Sequence, residues 1–240
     1  MTKLVPQFMS PRLIIIEGSD ASGKNTQSDL LVEQINQDSC ICPGIKMSFP
    51  VYDSPTGKIV SKYLQGEFGP VGSIDPKIAS TWYALNRFEH KHEMHGPSIW
   101  RGREDCDFTV VCDRYVESNM GHQGGKIADP KKRAEFFKWC EKLEYGDLGL
   151  RRPDVGVFLH VPWQVSKQLI ESRGRRADGH EADEKHLQMA EQAYLQLADI
   201  YNWIIIECTE GGEMRERHNI ASEVWSKLSN KSDNDYSKGL

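Results

Sequence analysis

The feature that most constrains the fold is a short apolar run that breaks into a glycine-rich turn and ends in a lysine. The run covers residues 13 to 16 and contains three isoleucines, as a buried parallel strand would, and apolar residues at helical spacing follow the turn. Gly18 and Gly23 let successive backbone N–H groups and a helix N-terminus point at one anion, and Lys24 supplies a positive charge. The pattern therefore predicts a strand, a phosphate-binding loop and a helix.

One residue of the loop departs from the usual pattern. Nucleotide-binding loops of this kind place Ser or Thr directly after the lysine as a ligand of Mg²⁺, whereas this chain has Asn25 there and Thr26 one place later. An amide still offers a carbonyl oxygen, and Mg²⁺ keeps several of its waters, so a hydroxyl ligand is not obligatory. Asn25 is compatible with a working nucleotide site, although it is also the one feature that favours a non-catalytic nucleotide-binding protein.

Composition limits the classes of protein to which the chain can belong. At 240 residues it is long enough for one large α/β domain and short for two. The net charge of −5 argues against a surface that coats nucleic acid. No apolar run approaches the ~18 residues of a membrane-spanning helix, and the N-terminus lacks the apolar core of a signal peptide, so we expect a soluble cytoplasmic protein with no membrane partner. The six cysteines have no paired spacing and are expected to be reduced thiols.

The chain alternates predicted strands and helices. Five apolar segments are expected to be strands, at residues 13 to 16, 45 to 49, 108 to 112, 155 to 161 and 203 to 208. Seven helical patterns accompany them, at residues 26 to 36, 56 to 65, 76 to 95, 130 to 142, 162 to 173, 183 to 202 and 217 to 228. This alternation predicts an α/β three-layer sandwich of the P-loop NTPase type, with a five-stranded, mostly parallel sheet covered by helices on both faces. In such sheets the ligand crevice lies beyond the carboxyl ends of the strands.

We expect a single domain at residues 1 to 228, followed by a disordered polar tail at 229 to 240. Between two predicted helices, the segment from 173 to 183 is dense in charge and glycine. It contains three arginines, Arg173, Arg175 and Arg176. The segment is either a solvated turn or a mobile lid, and arginines near a phosphate-binding fold favour the lid.

Two groups of residues could contact a substrate before the third predicted strand begins. Phe49 and Tyr52 belong to a proline-containing turn at the carboxyl end of the second strand. Tyr83 and Arg87 are four residues apart in the helical pattern from 76 to 95 and therefore project from the same face. This pair could stack a base and clamp its phosphate, or it could be a core tyrosine beside a solvated arginine.

A carboxylate and a guanidinium end the third predicted strand at Asp113 and Arg114. Asp113 could hold hydrated Mg²⁺ or orient an acceptor oxygen, and Arg114 could neutralise a phosphate in transfer. The alternative is a structural ion pair between the two side chains. Further polar residues follow at Ser118, Asn119, His122 and Gln123.

In this order the motifs resemble those of thymidylate kinases, over nearly the whole chain, from about residue 12 to about residue 225. They are Glu17-Gly18-x-Asp20-x-x-Gly23-Lys24-x-Thr26, Phe49-Pro50-x-Tyr52, Tyr83-x-x-x-Arg87, Asp113-Arg114-Tyr115 with Ser118-Asn119, and Leu150-x-x-Pro153-Asp154. The resemblance implies a P-loop nucleoside-monophosphate kinase that transfers the γ-phosphoryl group of ATP to dTMP, giving dTDP and ADP. It also implies Mg²⁺ as a cofactor and a homodimer.

On the ATP side, the resemblance assigns the loop and its lysine to the phosphates. The residues concerned are Gly18, Ser19, Asp20, Ala21, Ser22, Gly23, Lys24, Asn25 and Thr26. The residues expected to act in the transfer itself are Lys24, Asp20, Asp113, Arg114, Arg173 and Arg176. Arg175 would close on ATP with the lid, and Mg²⁺ would be held by Asp20, Asp113 and Glu181.

On the acceptor side, the resemblance implies that Tyr83 stacks on thymine, Asn119 hydrogen-bonds it and Arg87 binds the dTMP side. His122 would lie beside the deoxyribose, where the family often has Tyr or Phe. The remaining expected contacts are Phe49, Tyr52, Arg114, Ser118 and Gln123. Many members have arginine at the position of Tyr52.

Two alternatives stay open in the sequence. The acceptor could be dUMP, another pyrimidine monophosphate or a nucleoside, because a stacked ring and an amide favour a pyrimidine without measuring selectivity. The chain could also be a non-catalytic nucleotide-binding protein. The retained Lys24, Arg87, Asp113 and Arg114 argue against that alternative, since phosphoryl transfer requires positioning and charge neutralisation rather than a covalent nucleophile.

Overall fold

The structure, a computed structural model, describes residues 13–38, 43–92, 108–172 and 183–230. The strands of this part are β1 (Leu13–Glu17), β2 (Gly44–Ser48), β3 (Thr109–Asp113), β4 (Val155–His160), β5 (Ile204–Glu207), β6 (Thr209–Glu210) and β7 (Glu213–Met214). Its helices are α1 (Lys24–Gln37), α2 (Pro55–Leu64), α3 (Pro76–His92), α4 (Val116–Gly124), α5 (Pro130–Glu141), α6 (Trp163–Ser172), α7 (Glu184–Ile200) and α8 (Arg217–Asn230). A 3₁₀ turn (Val71–Ser73) and a π-helix (Lys142–Asp147) complete these elements.

Five of these strands form one parallel sheet in the order β2-β3-β1-β4-β5. In the centre, Ile14 of β1 is level with Val111 of β3 on one side and with Val155 of β4 on the other. Because β1 and β3 are neighbours and run the same way, the phosphate-binding loop and the Asp113-Arg114 pair emerge side by side. The parallel α/β sheet that the sequence predicts is confirmed.

Alternate side chains of β1 face two separate apolar cores. Leu13 and Ile15 pack with residues of α4, α5 and α7, whereas Ile14 and Ile16 pack with residues of α1 and α8. All four side chains are at most 1% exposed. Burial on both faces explains why the strand is a continuous apolar run rather than an alternating one, and it makes the domain a three-layer sandwich.

Helices α2 and α3 pack against each other beside the carboxyl edge of the sheet. Their small core consists of Tyr63, Val71 and Ala79, and Tyr83 packs against it. The loop between β2 and α2 is fixed to this pair by the side-chain amide of Asn86 on α3. The amide accepts a hydrogen bond from the backbone N–H of Val51 and donates one to the carbonyl oxygen of the same residue. The α2–α3 pair thereby forms one wall of the ligand crevice.

Helix α4 is the element whose absence from the sequence prediction matters most, since it carries several of the candidate site residues. Gly121 and Gly124 lower its intrinsic helix propensity by ~1 kcal/mol each relative to alanine, which hides the helical pattern. Val116 and Met120 are nevertheless fully buried in the core that also contains Tyr194 of α7. Tertiary packing therefore stabilises a helix that local propensity does not predict.

Other differences concern the ends of elements. The π-helix and the antiparallel β6–β7 pair were not predicted. Helix α8 continues to Asn230, so the first two residues of the expected tail are helical. Residues 231–240, residues 173–182 of the expected lid and residues 93–95 of the third predicted helix lie outside the described residues.

None of the helices in the described part of the chain combines the length and the apolarity needed to cross a membrane. Three of the six cysteines lie in that part, and all three are buried and free of disulfide bonds. They are Cys112, Cys140 and Cys208.

His160 connects three elements at the end of β4. Its Nε2 lies 2.8 Å from a carboxylate oxygen of Glu191 on α7, and its Nδ1 lies 2.7 Å from one of Glu207 on β5. Both ring nitrogens thus face acceptors, an arrangement that only the doubly protonated ring satisfies. The hydrogen bond to Glu191, and further that to Glu207, raise the pKa of His160.

We expect His160→Asn to destabilise the fold more at acidic than at alkaline pH. A raised folded-state pKa contributes stability that is fully present below the unfolded value and is lost as pH rises through the folded one. The loss should be ~1 kcal/mol at pH 6 and smaller at pH 9, measured by urea unfolding of both proteins. His218→Asn, at an exposed position of α8, is the control variant. An equal loss at both pH values would contradict the charged bridge.

Candidate active site

The turn between β1 and α1 depends on glycine at two positions. Gly23 has a φ of +84°, in the left-handed region that favours glycine, and leads directly into α1. At Gly18, a Cβ would lie 2.7 Å from the backbone oxygen of Leu159 on β4, so a larger residue would push the loop off the sheet. The turn therefore delivers the chain tightly into the N-terminus of α1, where free N–H groups and the helix dipole favour an anion.

Lys24, the first residue of α1, is buried with its ammonium group turned back onto the loop. Nζ donates to the carbonyl oxygens of Gly18 at 3.0 Å and Ser19 at 2.6 Å. Burial lowers the pKa of Lys24 to about 7, and the charge of Arg114 acts in the same direction. A phosphate at the loop would replace these carbonyls as partners and favour the charged form of the lysine.

Glu17, at the end of β1, is fully buried and accepts hydrogen bonds from residues at the start of α4 and on α7. Its Oε1 accepts the backbone N–H of Tyr115 at 2.7 Å. Its Oε2 accepts the hydroxyl groups of Ser118 at 2.6 Å and Tyr194 at 3.2 Å. Burial raises the pKa of Glu17, against which the Ser118 hydrogen bond and the charge of Arg114 act. The side chain fixes the first turn of α4 to β1 and α7.

Arg114 joins the phosphate-binding loop to α4. Its Nη2 donates to Oδ1 of Asp20 at 2.6 Å, and its Nη1 lies 2.9 Å from Nε2 of His122. Because a guanidinium only donates, Nε2 must accept, so the His122 ring is neutral. Burial is also the main reason that the pKa of His122 falls to about 3. Burial alone would raise the pKa of Asp20, but the basic groups of this cluster hold it well below its usual range.

The backbone of Arg114 is in a conformation that few non-glycine residues adopt. Its φ is +68°, and its N–H donates to the carbonyl oxygen of Ile16 at 3.2 Å. Such a residue costs roughly 1–2 kcal/mol, and residues of this kind cluster at functional sites. The alternative of a structural ion pair between Asp113 and Arg114 is wrong, because the guanidinium pairs with Asp20 of the phosphate-binding loop.

Asn25 is exposed on the first turn of α1, where Lys46 of β2 engages its side chain. Nζ of Lys46 donates to Oδ1 of Asn25 at 2.8 Å and to the Asp29 carboxylate at 2.7 Å. An ammonium group therefore occupies the amide oxygen that could ligate Mg²⁺. The role of Asn25 in metal binding stays a prediction.

The described residues contain no group of three His, Cys, Asp or Glu side chains that could cage a metal ion. Asp113 is half-buried at the end of β3, its carboxylate accepts no hydrogen bond from any described residue, and its charge acts on Lys24. A single free carboxylate beside a phosphate site fits Mg²⁺ that keeps most of its waters and is shared with phosphates. The predicted lid residues Arg173, Arg175, Arg176 and Glu181 lie outside the described residues.

A cavity lies beside the loop, between the sheet's carboxyl edge and the α2–α3 pair. All nine residues predicted to contact the acceptor line it: Phe49, Tyr52, Tyr83, Arg87, Arg114, Ser118, Asn119, His122 and Gln123. Asp20 and Pro50, which belong to the sequence motifs, also line it, as does Leu64, which the sequence did not indicate. The structure thus brings these residues together, while their individual roles stay predictions.

Arg87 is 2% exposed and paired with Glu144, so the alternative of a solvated arginine is wrong. Nε and Nη2 donate to the two carboxylate oxygens of Glu144 at 2.5 and 2.7 Å. Nδ2 of Asn119 donates to Oε1 of the same carboxylate at 3.0 Å and to the carbonyl oxygen of Ser80 at 3.2 Å. Sequence reasoning missed Glu144, and the one signal for it was that a buried arginine needs a counter-charge.

Tyr83 supplies an aromatic surface in the cavity wall. Its ring packs edge-on against that of Tyr63 on α2, with ring centroids 6.2 Å apart. The Phe49 ring, across the turn after β2, is 4% exposed and tilted against Tyr115 at 6.3 Å. Both rings are therefore held by packing, as a stacking surface for a planar base requires.

Comparisons with known proteins identify the family of the chain. The family model described as thymidylate kinase matches residues 16–218. A thymidylate kinase of Plasmodium falciparum is 31% identical over 220 residues, covering 89% of this chain and 89% of that protein. A thymidylate kinase of Mycobacterium tuberculosis is 30% identical over 195 residues, covering 78% of this chain and 85% of that protein.

Among solved structures, that of a thymidylate kinase from Candida albicans has the same fold, with a TM-score of 0.67 at 19% sequence identity. The match covers 93% of this chain and 96% of that one. Because the family model spans most of the chain and the relatives match over most of their length, the chain belongs to the thymidylate kinase family.

Proposed function

We propose that the chain transfers the γ-phosphoryl group of ATP to dTMP, giving dTDP and ADP. The observation that carries this proposal is the position of Arg114, whose guanidinium binds Asp20 of the phosphate-binding loop and also lines the acceptor cavity. The guanidinium of Arg114 thus belongs to both the donor site and the acceptor site. Membership of the thymidylate kinase family supports the same reaction.

On the donor side, the loop and Lys24 bind the ATP phosphates. Lys24 exchanges the carbonyl oxygens of Gly18 and Ser19 for phosphate oxygens, while the N-terminus of α1 adds backbone donors. The transition state spreads charge over the phosphoryl oxygens, so these groups act by position and by neutralising charge. Asp20 orients Arg114 toward the transferred group.

Mg²⁺, when bound, neutralises charge on the β- and γ-phosphates. Asp113 is the described residue that would hold it, because the carboxylate of Asp20, the other expected ligand in the described part of the chain, pairs with Arg114. The segment with Arg173, Arg175, Arg176 and Glu181 is proposed to close over the phosphates and exclude water, which favours transfer to dTMP over hydrolysis.

On the acceptor side, the thymine base stacks on Tyr83 and meets Arg87 and Asn119 at its polar edge. The dTMP phosphate lies toward Arg114, and the neutral ring of His122 lies against the sugar. The cavity lining supports this placement, since it brings Tyr83, Arg87, Asn119, His122 and Arg114 together.

Assembly and location are also proposals. We propose a homodimer that uses faces of α2 and α3, because Ile78 and Leu85 of α3 are 54% and 39% exposed and lie two helical turns apart. Sedimentation equilibrium of the full chain at micromolar concentration tests this. We propose a cytoplasmic location, which rests on the resemblance to the family.

The first test of the function is ADP release across a panel of nucleoside monophosphates, with and without Mg²⁺. We expect dTMP to give the highest kcat/KM and dUMP a value ~10-fold or more lower, because the cavity would lose the contact with the 5-methyl group. Turnover should require Mg²⁺. Preference for another acceptor would overturn the substrate assignment, and binding of ATP and dTMP without turnover would instead favour a nucleotide-binding protein.

Arg114→Ala should lower kcat for dTMP by ~10²-fold or more, because the transition state loses a preorganised positive charge. Arg152→Ala is a matched control, since that guanidinium pairs with Glu141 away from the cavity. Steady-state kinetics should show a much lower kcat for Arg114→Ala than for Arg152→Ala. Near wild-type turnover of Arg114→Ala would remove Arg114 from the transfer site.

Asn25→Ser should lower the Mg²⁺ concentration for half-maximal turnover, by up to ~10-fold, because the hydroxyl can ligate the ion while the present amide is engaged by Lys46. Lys46→Met frees the amide without adding a hydroxyl and should cause a smaller shift. Titration of turnover with Mg²⁺ measures both. Identical Mg²⁺ dependence in all three proteins would show that position 25 does not affect the metal.

A further inference from the structure

We propose that Glu144 is a positioning residue that sets the hydrogen-bonding polarity of the acceptor cavity and thereby selects pyrimidines with a 4-carbonyl group and an N3–H. The inference rests on the proposed function, in which this cavity holds the acceptor base. Glu144 is not among the residues that line the cavity. It acts through two that do, Arg87 and Asn119.

The first step concerns the direction of the Asn119 amide. One end of this side chain lies 3.0 Å from a carboxylate oxygen of Glu144 and 3.2 Å from the carbonyl oxygen of Ser80. Both of these atoms can only accept, so the NH₂ group must be at that end. The amide oxygen, at the other end, accepts no hydrogen bond from any described residue. A ligand in the cavity therefore meets Asn119 as an acceptor.

The second step concerns Arg87. Glu144 uses Nε and Nη2 of the guanidinium, both with short distances. Nη1 makes no hydrogen bond to a described residue, and the side chain lines the cavity. The bidentate pair fixes the plane of the guanidinium, so Nη1 is left as a donor of defined direction.

Together the two groups present one donor and one acceptor. The edge of thymine or uracil offers a carbonyl oxygen at C4 and an N–H at N3, which match Nη1 of Arg87 and the amide oxygen of Asn119. Cytosine has an amino group at C4 and an unprotonated N3, so each contact would pair like with like. A site with buried polar groups rejects a ligand that leaves them unpaired more strongly than one that only lacks a contact.

Glu144 is the common cause of both orientations. Without its carboxylate, the Asn119 amide loses the stronger of the two acceptors that hold its NH₂ end, and Arg87 loses its only described counter-ion. The side chain is 0% exposed, so water does not take its place. A neutral amide at position 144 would present NH₂ to one of two donors and release either Arg87 or Asn119.

Calorimetric titration of the full chain with dTMP, dUMP and dCMP, without ATP, tests the inference. For Glu144→Gln we expect the dissociation constants of dTMP and dUMP to rise ~10-fold or more and that of dCMP to change less than about twofold. The measured quantity is the ratio of the dCMP and dTMP constants, which does not depend on the fraction of folded protein. Glu144→Asp keeps the buried charge but shortens the side chain, and should shift the ratio in the same direction if Glu144→Gln does not fold.

Glu117→Gln is the matched control. Glu117 is an equally buried carboxylate on α4, accepts the Tyr145 hydroxyl group and makes no hydrogen bond to Arg87 or Asn119. The ratio in this variant should equal that of the wild type. A ratio in both Glu144 variants within about twofold of the wild type would overturn the inference, as would a wild type that binds dCMP as tightly as dTMP.

This titration and the ADP-release assay together separate this inference from the proposed function. Absence of dTMP turnover in the wild type counts against the phosphotransferase, while a base preference that disappears in the Glu144 variants still supports Glu144. If the wild type turns over dTMP but the ratio is unchanged in the Glu144 variants, the phosphotransferase stands and the inference about Glu144 fails. A wild type that binds none of the three nucleotides would overturn both.

Discussion

The buried carboxylate of Glu17 is the interaction on which the arrangement of the site depends. It ends the central strand and receives hydrogen bonds from the Tyr115 backbone, the Ser118 hydroxyl and the Tyr194 hydroxyl. A negative carboxylate at the N-terminus of α4 also interacts favourably with the positive end of the helix dipole. Helix α4 carries the polar residues of the acceptor cavity, so one side chain on β1 sets the distance between the phosphate-binding loop and the opposite half of the site.

Arg114 makes the second connection, and its backbone shows what the connection costs. A left-handed φ is unfavourable for arginine, yet it is compatible with the hydrogen bond from its N–H to Ile16 and with the pairing of its guanidinium to Asp20. The ion pair and the contact with His122 offset the strain. Donor and acceptor residues therefore share one rigid cluster rather than two independent pockets, as a transfer between two bound nucleotides requires.

The sequence was sufficient for the sheet, which depends on local patterns, and its resemblance to a known family identified most residues of the cavity. An apolar run before Gly18, or a polar pair at the end of the strand at Asp113, can be recognised without knowing what lies nearby. Helix α4 and Glu144 could not be found in this way. The glycines of α4 hide its helical pattern, and Glu144 has meaning only through Arg87, 57 positions away in the chain. Long-range pairing of this kind leaves no spacing for a single sequence to display.

The π-helix that carries Glu144 gives this site an unusual dependence on chain geometry. An α-helix turns by about 100° per residue, whereas bonding from i to i+5 winds more slowly, so the six residues Lys142–Asp147 fall progressively behind the rotation that α5 would continue. Glu144, the third residue of this segment, is fully buried. Loss of one residue from the segment would turn the carboxylate away from Arg87 without altering any residue that lines the cavity. An insertion or deletion here would therefore change what holds Arg87 and Asn119 while every lining side chain is kept.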